Sequence, residues 1–350
     1  MTKKSRRIPD PKPAYVERIE MLLPDEKDRQ AYWDILKVEQ RVTIRCNTLK
    51  ISPEALIQKL EEKTWVTNQP WAGYPEIIEI KGKKPTGHEQ EVIQKNGLAK
   101  LAPGEIGRAL EHLLGYYYVQ ELASMLPVIA MPPKEGELYL DLCAAPGSKT
   151  TQAAAAMNNK GTIIANELSM GRMRILGSNL ERCGATNTII TRKEGRALCK
   201  NMHKANVKFD KILVDAPCSG EGTLRSTPKT YLMWNPKTIK SLSHLQKQLF
   251  RQAFYQVKVG GEILYSTCTH APEENEEVMD KIIREFGDAI EVMPVKLPIN
   301  TRDGITKWKD KTYDEKVKLG QRVYPQDNDT EGFFVSKFKK LKEVNWEQTK

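Results

Sequence analysis

The chain has no apolar run approaching the roughly 18 residues that a membrane-spanning helix needs, so nothing in it reads as an anchor. It also lacks the apolar centre of a secretory signal. It starts MTKKSRRIPDPKP, which is basic and proline-rich, and this reads as a free basic arm. The six cysteines (46, 143, 183, 199, 218, 268) include no CxxC pair. That spacing argues against a disulfide framework or zinc knuckle and for reduced, cytoplasmic thiols. Five scattered histidines show no ligand spacing, so no metal is expected. There is no internal repeat and no long low-complexity tract.

What remains is a 350-residue chain, 39% hydrophobic and 29% charged, long enough for two domains. A formal charge of +10 permits a polyanionic partner such as RNA. A generally basic globular protein is the plain alternative. No second copy is implied, and the chain is expected to be a monomer.

Residues 14–40 read as helix and RVTIRCNTLK as a short strand. Ser52-Pro53 reads as the N-cap and first turn of a helix over 53–62. IIEIKG and GLAKLA read as further strands, YYYVQELASMLPVIA as a helix, and MPPKEGE as a junction. The rhythm then changes. Apolar strands at 137–142, 161–167, 186–191, 209–216 and 261–267 alternate with helices near 147–157, 169–183, 194–204 and 236–258. Such alternation implies α/β architecture around a parallel sheet, with ligands beyond the carboxyl ends of the strands. The expected division is an α+β region over 1–130, a Rossmann-like domain over 131–342 and a tail over 343–350.

Each motif falls at such a strand end. In LDLCAAPGSKT (140–150) a small-residue turn opens a helix at Gly147, which lets a ligand approach backbone N–H groups. It is neither GxGxxG nor a P-loop, and a plain tight turn would look similar. In ANELSMGR, Glu167 sits where an acidic residue meets ribose hydroxyls in dinucleotide folds. Glu194 follows the third strand. VDAPCSGEG and YSTCTHAPEEN each put a cysteine after a strand, at Cys218 and Cys268.

Amino-group methyltransferases carry an aromatic where Asp215-Ala216-Pro217 is followed here by Cys218, and a nitrogen nucleophile needs no thiol. A pyrimidine C5 does need one: a thiolate added to C6 makes C5 enamine-like, after which a base must remove the C5 proton. Asp215 is placed in sequence to meet the pyrimidine N3 and 4-amino edge. Either cysteine alone is more simply a small core residue. The residues do not say which one attacks.

Over most of its length the chain resembles the Sun/NSUN RNA cytosine-C5 methyltransferases. The resemblance runs through RVTIRCNTLKIS, YYYVQELASMLP, DLCAAPGSKT, FDKILVDAPCSGEG, GGEILYSTCTHAPEENE and RVYPQDNDTEGFFVSKF, in the family's order. It implies a class I methyltransferase domain with S-adenosylmethionine as donor. The donor would be held by Cys143, Ala144, Ala145, Pro146, Gly147, Ser148 and Lys149, with Glu167 on the ribose and Arg172, Glu194 and Asp215 near. Lys149 would also touch the flipped cytosine.

It further implies Cys268 as nucleophile and Cys218 as the group that releases product, acting as the base. The family usually has Asp where Glu194 stands. No segment resembles the PUA domain of some relatives, which inclines the RNA toward tRNA over rRNA. Arg41, Arg45, Lys50 and the basic arm are the candidates for holding it. The alternative is a non-catalytic RNA-binding or ribosome-assembly factor that keeps the fold.

Overall fold

A computed structural model describes residues 10–87 and 91–346. The basic arm (residues 1–9) and the end of the tail therefore lie outside the described residues. The chain divides into two compact units, one of residues 41–128 and 132–193, the other of residues 1–40, 129–131 and 194–350. The chain's rhythm groups residues 1–40 with those that follow them; compactness groups them with the second half.

In the first unit, an antiparallel sheet has the order Trp65–Asn68, Ile77–Lys83, Val42–Cys46, Tyr117–Val119. Helix Pro53–Glu62 starts as its sequence dictates: Ser52 accepts from Ala55 N and Pro53 occupies the first turn. Leu56 and Leu60 pack with Ile44, Trp65, Ile78 and Tyr117 in one core. Strands Leu138–Asp141, Thr162–Asn166 and Thr188–Thr191 pair in parallel. The first two are followed by helices Ser148–Ala156 and Met170–Cys183.

In the second unit, Phe209–Asp215 pairs in parallel with Val257–Thr267, and Phe333–Lys340 runs antiparallel to the latter. Helices Gly195–Lys204, Pro236–Gln256 and Glu276–Phe286 belong to this unit. The last of these buries Val278, Met279, Ile282, Ile283 and Phe286 along one stripe.

Three expectations change. The helix expected over 14–40 is two helices, Pro13–Leu22 and Glu26–Ile35. Pro24 has no N–H to continue the first, and Asp25 caps the second by accepting from Asp28 N at 2.8 Å. GLAKLA forms only isolated bridges at Ala99. In YYYVQELASMLPVIA the helix begins at Leu122, because Tyr117–Val119 pairs with Ile44–Cys46 as a strand. The two N-terminal helices bury Tyr15, Ile19, Tyr32 and Leu36 against Leu224, Tyr231, Trp234, Ala271 and Tyr324. They thus support the loops on either side of the cysteines at 218 and 268.

Candidate active site

In the first unit, the strand ending at Asp141 runs into Cys143–Gly147, and helix Ser148–Ala156 opens directly after it. Gly147 has φ +104°, and a Cβ there would lie 3.0 Å from Leu176 Cδ1, so the turn depends on glycine. Thr150 Oγ1 donates to Asp141 Oδ2 at 2.7 Å, and Ala144 N donates to Asn166 O at 2.8 Å. Asn166 is a keystone that sequence reasoning missed. Its amide donates to Leu142 O and Lys193 O, and its Oδ1 accepts from Lys193 N and Thr191 Oγ1. One side chain thus locks three strand ends together.

Glu167 is buried, accepting from Ser169 N at 2.8 Å and pairing with Arg172 at 3.3 Å. Arg172 also donates to Ala145 O at 2.5 Å, so it ties the carboxylate to the small-residue turn. Lys149 is buried and donates to Ser124 Oγ at 3.1 Å. The residues fit a nucleoside cofactor: a glycine-dependent turn, a helix N-terminus and a carboxylate one strand away.

Two RNA-holding candidates have other work. Arg45 is buried, donating to Gln120 Oε1, Thr151 Oγ1 and Ser148 O, and burial pushes its guanidinium down to about 10. Lys50, though exposed, donates to Leu114 O and Arg182 O. Arg41 lies 3.8 Å from Glu79.

In the second unit, Glu194 caps helix Gly195–Lys204, accepting from Ala197 N at 3.2 Å, and pairs with Arg196 at 2.6 Å. Asp215 Oδ1 accepts from Ser266 Oγ at 2.7 Å. Cys218 and Cys268 come together with their sulfurs 3.1 Å apart, both half-buried. The Cys218 thiol is pushed well above the ordinary thiol range, first by its hydrogen bond with Cys268, then by burial and the charge of Glu274.

The rest of the cluster comes from the Thr-His-Ala-Pro-Glu-Glu-Asn segment. Glu274 is fully buried; its Oε1 accepts from Ser219 N at 3.0 Å and Gln246 Nε2 at 2.9 Å. Ser219 Oγ hydrogen-bonds Oε2 on one side and Thr269 Oγ1 on the other. Burial raises the Glu274 carboxyl to about 7. Gly222 N donates to Cys268 O at 2.9 Å, fixing the loop that follows Cys218 against the second cysteine. Sequence reasoning missed Glu274, Ser219 and Gly222. The only signal was a run of polar residues next to each cysteine.

Parallel strands with a glycine turn, a carboxylate at the next strand end and a paired thiol define a class I methyltransferase fold with a thiol-bearing site. The chain belongs to the family described as 16S rRNA methyltransferase RsmB/F, whose pattern matches residues 128–339. That family is S-adenosylmethionine-dependent.

Over 337 residues the chain is 36% identical to ribosomal RNA small subunit methyltransferase F of Aliivibrio salmonicida, covering 95% of this chain and 64% of that protein. The chain thus spans a little under two thirds of the curated relatives it matches. A methyltransferase homologue from Pyrococcus horikoshii is 30% identical, with TM-score 0.73, covering 94% of this chain and all of that one. NSun6 from the same organism, solved with SFG, shares the fold at 24% identity and TM-score 0.74, covering 93% and 97%.

Proposed function

We propose that this protein transfers a methyl group from S-adenosylmethionine to C5 of cytosine in RNA. The names of its relatives favour small-subunit ribosomal RNA over the tRNA toward which the sequence inclined. The observation that carries the reading is the Cys218–Cys268 pair, its sulfurs 3.1 Å apart at two neighbouring strand ends.

Cys268, as thiolate, adds to C6 and forms the S–C6 bond, which places the electron pair on C5. Asp215, held by Ser266, meets the N3 and amino edge of the adduct, where N3 takes a proton from solvent as the S–C6 bond forms and returns it on release. S-adenosylmethionine, when bound, would supply the electrophilic methyl group for C5, its S–CH3 bond breaking to leave S-adenosylhomocysteine. Cys218, its proton first passed to solvent, removes the C5 proton as thiolate; the electrons restore the C5–C6 double bond and expel Cys268 as thiolate. The cytosine must leave its stack for a thiol to reach C6. Glu167, Arg172 and the 143–149 turn would hold the donor, and Lys149 would contact the flipped cytosine. Glu194 acts through the helix it caps.

The test is a pair of substitutions with labelled donor and small-subunit ribosomal RNA. Cys268→Ala is expected to lose both methyl transfer and any covalent complex. Cys218→Ala is expected to stop turnover while a thiol-linked RNA band accumulates on a denaturing gel. The reverse pattern would exchange the roles, and full activity in both would end the covalent mechanism. Absence of transfer by the wild type to small-subunit RNA and to tRNA alike would favour a non-catalytic assembly factor. Bisulfite sequencing of RNA from a deletion strain names the cytosine.

A further inference from the structure

In the second unit, a cavity of about 620 Å³ opens beside the glutamate segment that braces the cysteines. Five cations and three carboxylates line it. One wall is helix Pro236–Gln256, which presents Lys240, His244 and Lys247 at i, i+4 and i+7, one stripe of an α-helix. The other is a hairpin, Lys307–Trp308 paired with Lys311–Thr312, with Lys309 at its tip in the left-handed conformation (φ 55°).

The hairpin is pinned rather than loose. Trp308 is buried, its Nε1 donates to Glu273 Oε1 at 3.0 Å, and the Arg18 guanidinium lies 5.0 Å over its ring. The pinned indole fixes where Lys309 and Lys311 project. A second cavity of about 430 Å³ shares Lys247, Glu277 and Lys311 with the first and adds Lys281 and Arg284. Together, through these shared residues, they form one continuous groove along two helices.

The charges do not cancel. Glu273 is taken by Arg18 and Trp308, Glu277 by Lys247 and Lys311, and Asp280 by Arg284, while the exposed Glu17 offsets only one of the remaining cations. Lys240, Lys281 and Lys309 are exposed and make no ion pair among the described residues. The groove also adjoins the chemistry through one dipeptide. Glu273 lines it, while Glu274 bonds Ser219 next to Cys218.

We propose that this groove between the Lys240–Lys247 helix stripe and the Lys307–Thr312 hairpin binds the phosphodiester backbone of the RNA substrate outside the target nucleotide. The inference rests on the RNA reading above and gives that RNA a place that Arg45 and Lys50 do not provide. Lysines at this spacing neutralise phosphates without reading bases, so they contribute affinity and register rather than sequence choice.

The experiment uses the full chain with a fluorescently labelled, cytosine-containing single-stranded RNA, read by anisotropy at several salt concentrations. It compares the wild type, the double variant Lys240→Gln/Lys309→Gln, and Lys59→Gln, an exposed lysine of the other unit. The double variant is expected to bind roughly tenfold more weakly, with its log K against log salt slope shallower by about 1.4, about 0.7 for each lost phosphate contact. In methyl transfer its KM rises by a similar factor and kcat is unchanged. Unchanged affinity and slope in the double variant, with an active wild type, would overturn the groove. So would a loss no larger than that of Lys59→Gln. A wild type that neither binds nor methylates RNA would instead overturn the proposed function.

Discussion

The carboxyl of Glu274 gives a pH dependence opposite in sign to that of most native acids. Burial raises it from an ordinary 4.5 to about 7. Between those values the native protein holds a proton that the unfolded chain has released. Stability therefore falls as pH rises through this window. A raised value of this size corresponds to about 3 kcal/mol lost between pH 4.5 and pH 8. Burial outweighs hydrogen bonds that favour the ion: one oxygen accepts from Ser219 N and Gln246 Nε2, and the other accepts from Ser219 Oγ. Glutamine can keep that pattern with an amide in place of the acid.

Urea denaturation at pH 5 and pH 8 should then show Glu274→Gln losing about 2.5 kcal/mol less than the wild type. His270, held down to about 3 by burial, works in the other direction: its neutral native form is disfavoured as the unfolded imidazole protonates below about 6.5. It is present in both proteins and cancels in the comparison. Glu273, held down to about 2, loses its stabilising effect only below the window. Superimposable pH dependences of the two proteins would refute the assignment of a neutral carboxyl at Glu274.

Two further substitutions probe the frame around the cysteines. A Cβ at Gly222 would lie 2.2 Å from Gly332 O and 2.9 Å from Cys268 O. Gly222→Ala should therefore cost about 1–3 kcal/mol of stability, while displacement of the Cys268 backbone lowers single-turnover methyl transfer on the order of a hundredfold. Equal activity would show that this contact does not position the nucleophile. The buried Arg322–Glu276 pair is bidentate at 2.5 and 2.6 Å, and Arg322 also donates to His270 O. Glu276→Ala should cost about 3–5 kcal/mol by leaving a buried guanidinium unpaired, seen as a lowered urea midpoint.

How much of this was legible in the sequence depends on whether a feature is local. The Ser52-Pro53 cap, the five apolar strands and the helices between them are set by caps and periodicity within a few residues, and they stand where those signals put them. Pro24 was equally local, yet the apolar periodicity on both sides of it concealed the break. Tyr117–Val119 continues smoothly into a helical pattern, and only its distant partner Ile44–Cys46 makes it a strand. Among the candidate site residues, the sequence could bring Cys218 and Cys268 to neighbouring strand ends. It could not show that Arg45 is occupied by Gln120 and Thr151, since those partners lie far along the chain.

The Pro272–Glu276 segment shows why composition alone stops short of mechanism. Its three glutamates have the same chemistry in isolation and three different environments in the fold. Glu273 meets the Arg18 guanidinium and stays ionised at a low value. Glu276 forms the buried pair with Arg322. Glu274 meets only Ser219 and Gln246, neither of them charged, and is driven toward its neutral form. That last outcome matters for the cysteines. A charged Glu274 beside Ser219 raises the Cys218 thiol further, and a neutral one relaxes it. Protonation at Glu274 and at Cys218 is therefore coupled by charge. A proton arriving at Cys218 from the substrate would be felt at Glu274, whose own titration lies close to neutral pH. The consequence is specific: Glu274→Gln should flatten the pH–rate profile of the release step near pH 7 and leave covalent addition by Cys268 unchanged.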